Sequence, residues 1–209
     1  NNHLISYNKI TSCRFGFISY FSNNNVLSNN TFIDNVDPMT INACTNNTIC
    51  YNYFNNNSYS IVLNHNRNTS VYLNTINNSH IGIFLFGQYW WYDENPSPNN
   101  YIIRNNTITQ GGLGIRVDTT SSVEISYNNV CNNLHHGVYI FDSSDINFHY
   151  NNLETNGLSG IYLFNSTNTS ITQNNIIEKK LLFFYFEAIP PINQIIFFEN
   201  FWGNLWPMK

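Results

Sequence analysis

Along this chain, short runs in which apolar and polar residues alternate are separated by clusters of Asn, Gly and Ser. A period of two, carried by β-branched and aromatic side chains, predicts strands and not helices. The runs recur in phase. The motif apolar-x-x-Asn-x-apolar stands at Ile5-Ser6-Tyr7-Asn8-Lys9-Ile10 and again around Asn30, Asn52, Asn74, Asn106, Asn128, Asn151 and Asn174, at steps of 22, 22, 22, 32, 22, 23 and 23 residues. The long step holds an insert of about ten residues, 88–97 (QYWWYDENPS), and a degenerate ninth copy, Glu199-Asn200-Phe201-Trp202, follows after a step of 26.

A second landmark keeps phase with the first. Eight or nine residues after each Asn comes a small or turn residue and then apolar-x-apolar, as in Gly16-Phe17-Ile18, Ser60-Ile61-Val62-Leu63, Gly82-Ile83-Phe84-Leu85, Gly114-Ile115-Arg116-Val117, Gly137-Val138-Tyr139-Ile140 and Gly160-Ile161-Tyr162-Leu163, with Pro38 in the slot of the second copy. A third is a second polar residue five after the first, at Asn35, Asn57, Asn133 and Asn156, with Asn204 four after Asn200. A unit of 22 or 23 residues holds three short strands and three turns. It cannot bury its own apolar face, so units must stack. The solution is one all-β domain over 1–209, a coil of parallel strands in which each strand pairs with its copy about 4.8 Å along the axis. Eight to nine rungs make a rod roughly 40 Å long. The insert 88–97 is expected to project as a loop, and 179–209 to form a looser last rung with a Trp-rich end. The start at Asn1, without Met or a leader, reads as an excerpt of a longer chain that continues beyond it.

Composition explains the turns. Of 209 residues, 42 are Asn, and only 10% are charged. Asn is a poor helix former and an indifferent strand former that suits turns and tolerates left-handed backbone. A turn position repeated every rung stacks one side chain on its copies, and an amide that both donates and accepts then forms a ladder. With eight Lys and Arg and a net charge of −4, a basic nucleic-acid footprint is absent. No apolar run reaches the length of a membrane span. The four Cys (Cys13, Cys44, Cys50, Cys131) lack metal-ligand spacing; Cys44 and Cys50 are close enough to pair, and two small buried thiols are the preferred reading.

The rung Gly160-Ile-Tyr-Leu … Asn174-Asn-Ile resembles the repeats of right-handed parallel β-helices, of the NosD-like and pectate-lyase types. NosD-like domains abound in archaeal surface proteins and in a periplasmic copper-accessory protein, and the closing Asn200-Phe-Trp-Gly-Asn-Leu-Trp is similar to their ends. The resemblance covers nearly the whole chain and implies an extracellular, cell-surface or periplasmic location. It also implies that polysaccharides meet the Gly-apolar-x-apolar strand face.

Within that strand the two apolar residues point inward and the residue between them outward. The outward column reads Ile18, Thr40, Val62, Phe84, Arg116, Tyr139, Tyr162 and Tyr185; two residues further along it reads Tyr20, Asn42, Asn64, Phe86, Asp118, Phe141, Phe164 and Glu187. Trp90 and Trp91 of the insert leave the coil beside the same strip. An exposed aromatic patch with polar partners marks a binding site, and flat aromatic faces suit sugar rings. The expected ligand set is therefore Phe84, Phe86, Trp90, Trp91, Arg116, Asp118, Tyr139 and Tyr162, with a polysaccharide, a surface glycan or another surface protein as partner and no cofactor. Cover by a loop or partner domain, or simple stacking of the rings as ladders, competes with this reading.

Two other classes stay open. A polysaccharide-active lyase, hydrolase or epimerase needs converging acid and base groups. Asp118 and Glu187 lie about 14 Å apart, too far for hydrolysis. Asp142 is one rung from Asp118 but one residue past the matching position, so Arg116, Asp118 and Asp142 form only a weak catalytic trio. A copper role requires His, Cys or Met ligands brought together. His80 and His135 share a column, separated by Gly112, with His136 next door. Eight Asn-x-Ser/Thr sequons, at Asn29, Asn46, Asn56, Asn68, Asn77, Asn105, Asn165 and Asn168, are glycan acceptors if the protein is extracellular.

Overall fold

A computed structural model describes residues 2–87 and 99–177 together with the strands Ile195–Phe198 and Phe201–Trp202. Among the described residues, each of the first seven rungs contributes one strand to each of three parallel sheets, and two further rungs add strands to the first two. The first sheet runs from Leu4–Ser6 to Ile195–Phe198 in nine strands, and the second from Lys9–Thr11 to Phe201–Trp202 in nine. The third runs from Phe15–Tyr20 to Ile161–Phe164 in seven. Every pairing is parallel and in register with the repeat: Ile83 pairs with Ile61 and Ile115, and Ile115 with Val138. The ninth copy keeps the motif register, because Phe201 pairs with Asn175 and Trp202 with Ile176, the offset that also separates Asn200 from Asn174. Among the described residues there is no helix, and none therefore long and apolar enough to cross a membrane. The insert 88–97 and Tyr185, Glu187 and Asn204 lie outside the described residues.

The inward residues of all three sheets meet in one core, from Leu27, Phe32 and Ile41 through Ile83, Ile108 and Val117 to Phe148, Leu163 and Ile176. Phe32 and Phe54 stack in it with centroids 4.9 Å apart. The strand beginning at each Gly passes close to its neighbour: a Cβ on Gly114 would meet Gly137 O at 2.4 Å and Val130 Cγ1 at 2.3 Å.

The Asn columns are ladders. In the first, both the backbone N–H and Nδ2 of Asn52 donate to Asn74 Oδ1, at 2.9 and 3.0 Å, while Nδ2 also donates to Leu27 O at 2.9 Å. The pattern repeats from Asn8 to Asn174. Asn30 to Asn174 are each buried to within 2% in this column, so nearly every polar atom removed from water has a protein partner. The second column holds Asn35, Asn57, Asn133 and Asn156 and is broken at Ser79 and Gly111, although Gly111 N–H still donates to Asn133 Oδ1 at 3.0 Å.

Asn takes left-handed backbone at several turns, among them Asn24, Asn46, Asn56, Asn68, Asn78 and Asn132, but not in the ladder itself. The ladder Asn is not the left-handed residue; the one before it is. Tyr7, Asn29, Tyr51, Leu73, Asn105, Tyr127, Tyr150 and Gln173 have φ between 53° and 59°. The ladder Asn is therefore selected for its amide, and the preceding left-handed position accepts many residue types at a conformational cost of about 1 kcal/mol each.

A third column escaped sequence reading because its residues differ. Ser22 N–H donates to Cys44 Sγ at 3.2 Å, Cys44 N–H to Asn66 Oδ1 at 2.8 Å, Thr120 N–H to Ser143 Oγ and Ser143 N–H to Ser166 Oγ, both at 3.2 Å. After Asn66, at the rung that carries the insert, the acceptor for Asn66 N–H is the hydroxyl of the buried Tyr101, at 3.1 Å. Cys44 thus occupies a ladder position and is not paired with Cys50; Cys44, Cys50 and Cys131 are buried and Cys13 is exposed.

Candidate binding face on the third sheet

Alternation along the long strands sets this face. Ile83 and Leu85 are fully buried, and Phe84 and Phe86 on the same strand emerge half-buried. Phe84, Arg116, Tyr139 and Tyr162 are consecutive partners across the sheet, and Phe86, Asp118, Phe141 and Phe164 form the parallel column. Both outward columns follow the sequence register from Ile18 and Tyr20 onward, although Val62 is only 8% exposed.

The rings are stacked upon one another. Tyr139 and Tyr162 are 5.0 Å apart between centroids and 6° from parallel; Phe141 and Phe164 are 5.2 Å apart and 5° from parallel. Rings so close and so parallel overlap face to face, with offset. Tyr139 and Phe141 lie side by side at 6.5 Å, 12° from parallel. The four rings make an array that follows the 4.8 Å strand spacing. The flat faces expected to receive sugar rings are thus largely covered by one another, and edges and tyrosine hydroxyls remain for the outer surface.

Arg116 continues the stack. Its guanidinium lies over Phe84 at 5.0 Å and over Tyr139 at 5.6 Å, so it is held between two rings on neighbouring rungs. It also binds Asp118 Oδ2 through Nη2 at 2.6 Å and Nε at 2.9 Å. Asp118 is 5% exposed, and its Oδ1 is buried without a hydrogen-bond partner. The Asp118 hydrogen bond holds the Arg116 pKa above its ordinary value, against the effect of burial. Burial, with Tyr162 adding to it and Arg116 opposing, raises the Tyr139 phenol.

Asp142 does not join them. It sits at the turn position equivalent to Thr119: their N–H groups donate to Phe164 O and Phe141 O in the same way, and both backbones are left-handed. Asp142 is exposed there and accepts from Asn165 Nδ2. Of the weak catalytic trio, then, Arg116 and Asp118 meet and Asp142 lies on the turn.

The three histidines are also separated in role. His80 is edge-on to Tyr59 at 6.3 Å, and His135 is exposed. The His136 ring packs 5.0 Å from Tyr162 and 5.8 Å from Tyr139, with Nδ1 2.6 Å from Ser159 Oγ. Burial lowers its pKa, and His135 adds to the effect. His136 is therefore an extension of the aromatic strip; its place just before Gly137 was the available sequence signal. No group of three or more His, Cys, Asp or Glu side chains able to hold a metal ion occurs among the described residues. Trp90 and Trp91 lie outside those residues.

A family model described as the right-handed β-helix region matches residues 1–89 and 87–185. The chain belongs to the right-handed β-helix family. The coil described above is accordingly a right-handed β-helix. A solved structure similar to this β-helix is the A-module of the mannuronan C-5 epimerase AlgE4 of Azotobacter vinelandii, at 14% identity and a TM-score of 0.57, over 82% of this chain and 58% of that one. At that identity the likeness is one of fold, and the chain spans little more than half of the module. No curated protein is significantly similar in sequence.

Proposed function

We propose that this β-helix is a non-catalytic module, secreted or displayed at a cell surface, that binds a polysaccharide along the outer face of its third sheet. The observation that carries the reading is the stacked array of Tyr139, Phe141, Tyr162 and Phe164 continued by Arg116 and Phe84. Ring edges supply an apolar strip, tyrosine hydroxyls and the Arg116 guanidinium supply hydrogen bonds, and pre-stacked rings lose little entropy on binding. A chain lying along the coil axis meets Tyr139 and Phe141 on one rung and the matching Tyr162 and Phe164 on the next. The similar fold of a mannuronan C-5 epimerase is compatible with a polysaccharide partner. A pull-down against immobilised polysaccharides, with product analysis of every bound polymer, tests this. Binding without product, lost in the Tyr139→Ala/Tyr162→Ala variant, is expected; binding that survives this variant overturns the site.

One observation favours a second reading, a polysaccharide-active enzyme. Asp118 Oδ1 is buried and unpartnered beside Arg116 and near the Tyr139 phenol, so an acceptor, a cation and a proton donor converge. Cleaved or epimerised product in the same experiment, abolished by Asp118→Asn, replaces the binding reading with this one.

A further inference from the structure

The first sheet carries a separate concavity. Between its turn and its outward strand residues lies an open groove of about 360 Å³, lined by Asn100, Ile102, Ser122, Glu124, Asp145 and Asn147, with Tyr101 and Val123 at its floor. The register explains the assembly: Ile102 pairs with Glu124 and Glu124 with Asn147, while Asn100, Ser122 and Asp145 are the left-handed turn residues two positions earlier on the same three rungs.

Its lining is acidic. Two carboxylates line the groove and no Lys, Arg or His does, while His149 stands beside it with Nε2 4.0 Å from Glu124 Oε1. Both are held by neighbours: Asp145 accepts from Asn168 Nδ2 and from Ser144 Oγ at 3.1 Å, and Glu124 Oε1 accepts from Ser126 Oγ at 2.8 Å. Amides and a hydroxyl alternate with the acids, a lining that suits a hydroxylated cation.

The far ends of two of these strands carry a ridge. Tyr127 and Tyr150 stack at 4.9 Å, 11° from parallel, with His149 edge-on to both. Both tyrosines are left-handed, with φ of 55°, and are 54% and 44% exposed. Asn29 and Asn105 occupy the same column, so the coil does not require a ring there. A left-handed tyrosine carries backbone strain, and this exposed pair recovers little of it by burial.

We propose that this groove is a second ligand site, for an amino sugar, with Glu124 and Asp145 as counter-charges to its ammonium group. The Tyr127–Tyr150 ridge, about three residues or 10 Å along the strand from Glu124, contacts the following sugar units of a longer chain. The site is independent of the third-sheet reading.

Amide NMR titrations in 0.15 M salt with glucosamine, glucose and N-acetylglucosamine test it. Glucosamine is expected to shift Ser122, Glu124, Asp145 and Asn147 and to bind at least tenfold more tightly than the other two. A fully deacetylated glucosamine tetramer is expected to bind more tightly still, and Tyr127→Ala/Tyr150→Ala to remove that gain. The near-isosteric Glu124→Gln/Asp145→Asn variant should abolish the preference for the ammonium form, while the exposed Asp34→Asn, and Tyr139→Ala/Tyr162→Ala on the third sheet, leave it unchanged. Equal binding of the acetylated sugar, no binding of glucosamine, or a preference that survives Glu124→Gln/Asp145→Asn overturns the proposal. Because the third-sheet variant is measured alongside, either site can fail without the other.

Discussion

Arg116 Nη2 lies 2.6 Å from Asp118 Oδ2, two residues along one strand, and its guanidinium is held between Phe84 and Tyr139 on the neighbouring rungs. The pair is asymmetric: the Arg116 side chain is 39% exposed and that of Asp118 only 7%. Solvent screens the Arg116 end, so the ion pair is worth less than a fully buried one. Arg116→Met is expected to destabilise by about 1–3 kcal/mol, because it leaves Asp118 buried without its partner. Arg116→Met/Asp118→Asn should recover part of that loss. Urea unfolding of the four members of this double-mutant cycle measures the coupling.

Asn128 is a mid-ladder residue. Its Nδ2 donates to Ile103 O, Ser126 O and Asn151 Oδ1, and its Oδ1 accepts from both N–H groups of Asn106. Asn128→Ala strands these buried partners together, and a loss of about 3–5 kcal/mol is expected. The exposed Asn24→Ala, which gives up a surface acceptor for Asn46 and places alanine at a left-handed position, should cost only about 1 kcal/mol. Denaturant midpoints of the two variants make the comparison.

Tyr101→Phe isolates one hydroxyl. The ring stays in the core, but Asn66 N–H loses its acceptor at the rung of the insert. A destabilisation of about 1–3 kcal/mol is expected. Thermal unfolding that matches wild type would show that another acceptor replaces the hydroxyl.

Burial lowers the pKa of both His136 and His65. Their protonated forms are disfavoured in the folded state, so the unfolded chain binds more protons below the ordinary His value of about 6.5. The stability they contribute is full above that value and is lost as pH falls through it towards the folded pKa. Asp37, whose pKa burial raises against the pull of Arg14, acts oppositely and at lower pH: its contribution is present below the ordinary Asp value and is lost as pH rises through the folded one. The melting temperature should therefore fall between pH 7 and pH 5, and His136→Gln should flatten that slope.

Tyr139 titrates at the other end. Its raised pKa means that the folded state holds the phenolic proton more tightly than the unfolded chain, so this stability is present below about pH 10 and is lost as pH rises through the folded value. Ultraviolet difference titration of wild type against Tyr139→Phe should show one phenol ionising late.

The sequence by itself determined the coil. Stacking identical units on a short period makes each residue's neighbour its own copy, so Phe84, Arg116, Tyr139 and Tyr162 could be placed in one outward column from spacing alone. The same logic placed the Asn ladders at Asn8 to Asn174, because a repeated amide has one self-complementary partner. What the tertiary structure decided was orientation and exceptions. Spacing cannot say whether a ring offers its face or its edge, and the Tyr139–Tyr162 overlap covers the faces expected to meet sugars. Nor can it find a ladder whose members are Ser, Cys, Asn, Tyr and Thr, since what unites Ser22, Cys44, Asn66 and Tyr101 is the position of one acceptor or donor atom and not a residue type. The groove at Glu124 and Asp145 is of the same kind: its walls come from three rungs and from strand and turn positions together, and only the folded surface brings them to one concavity.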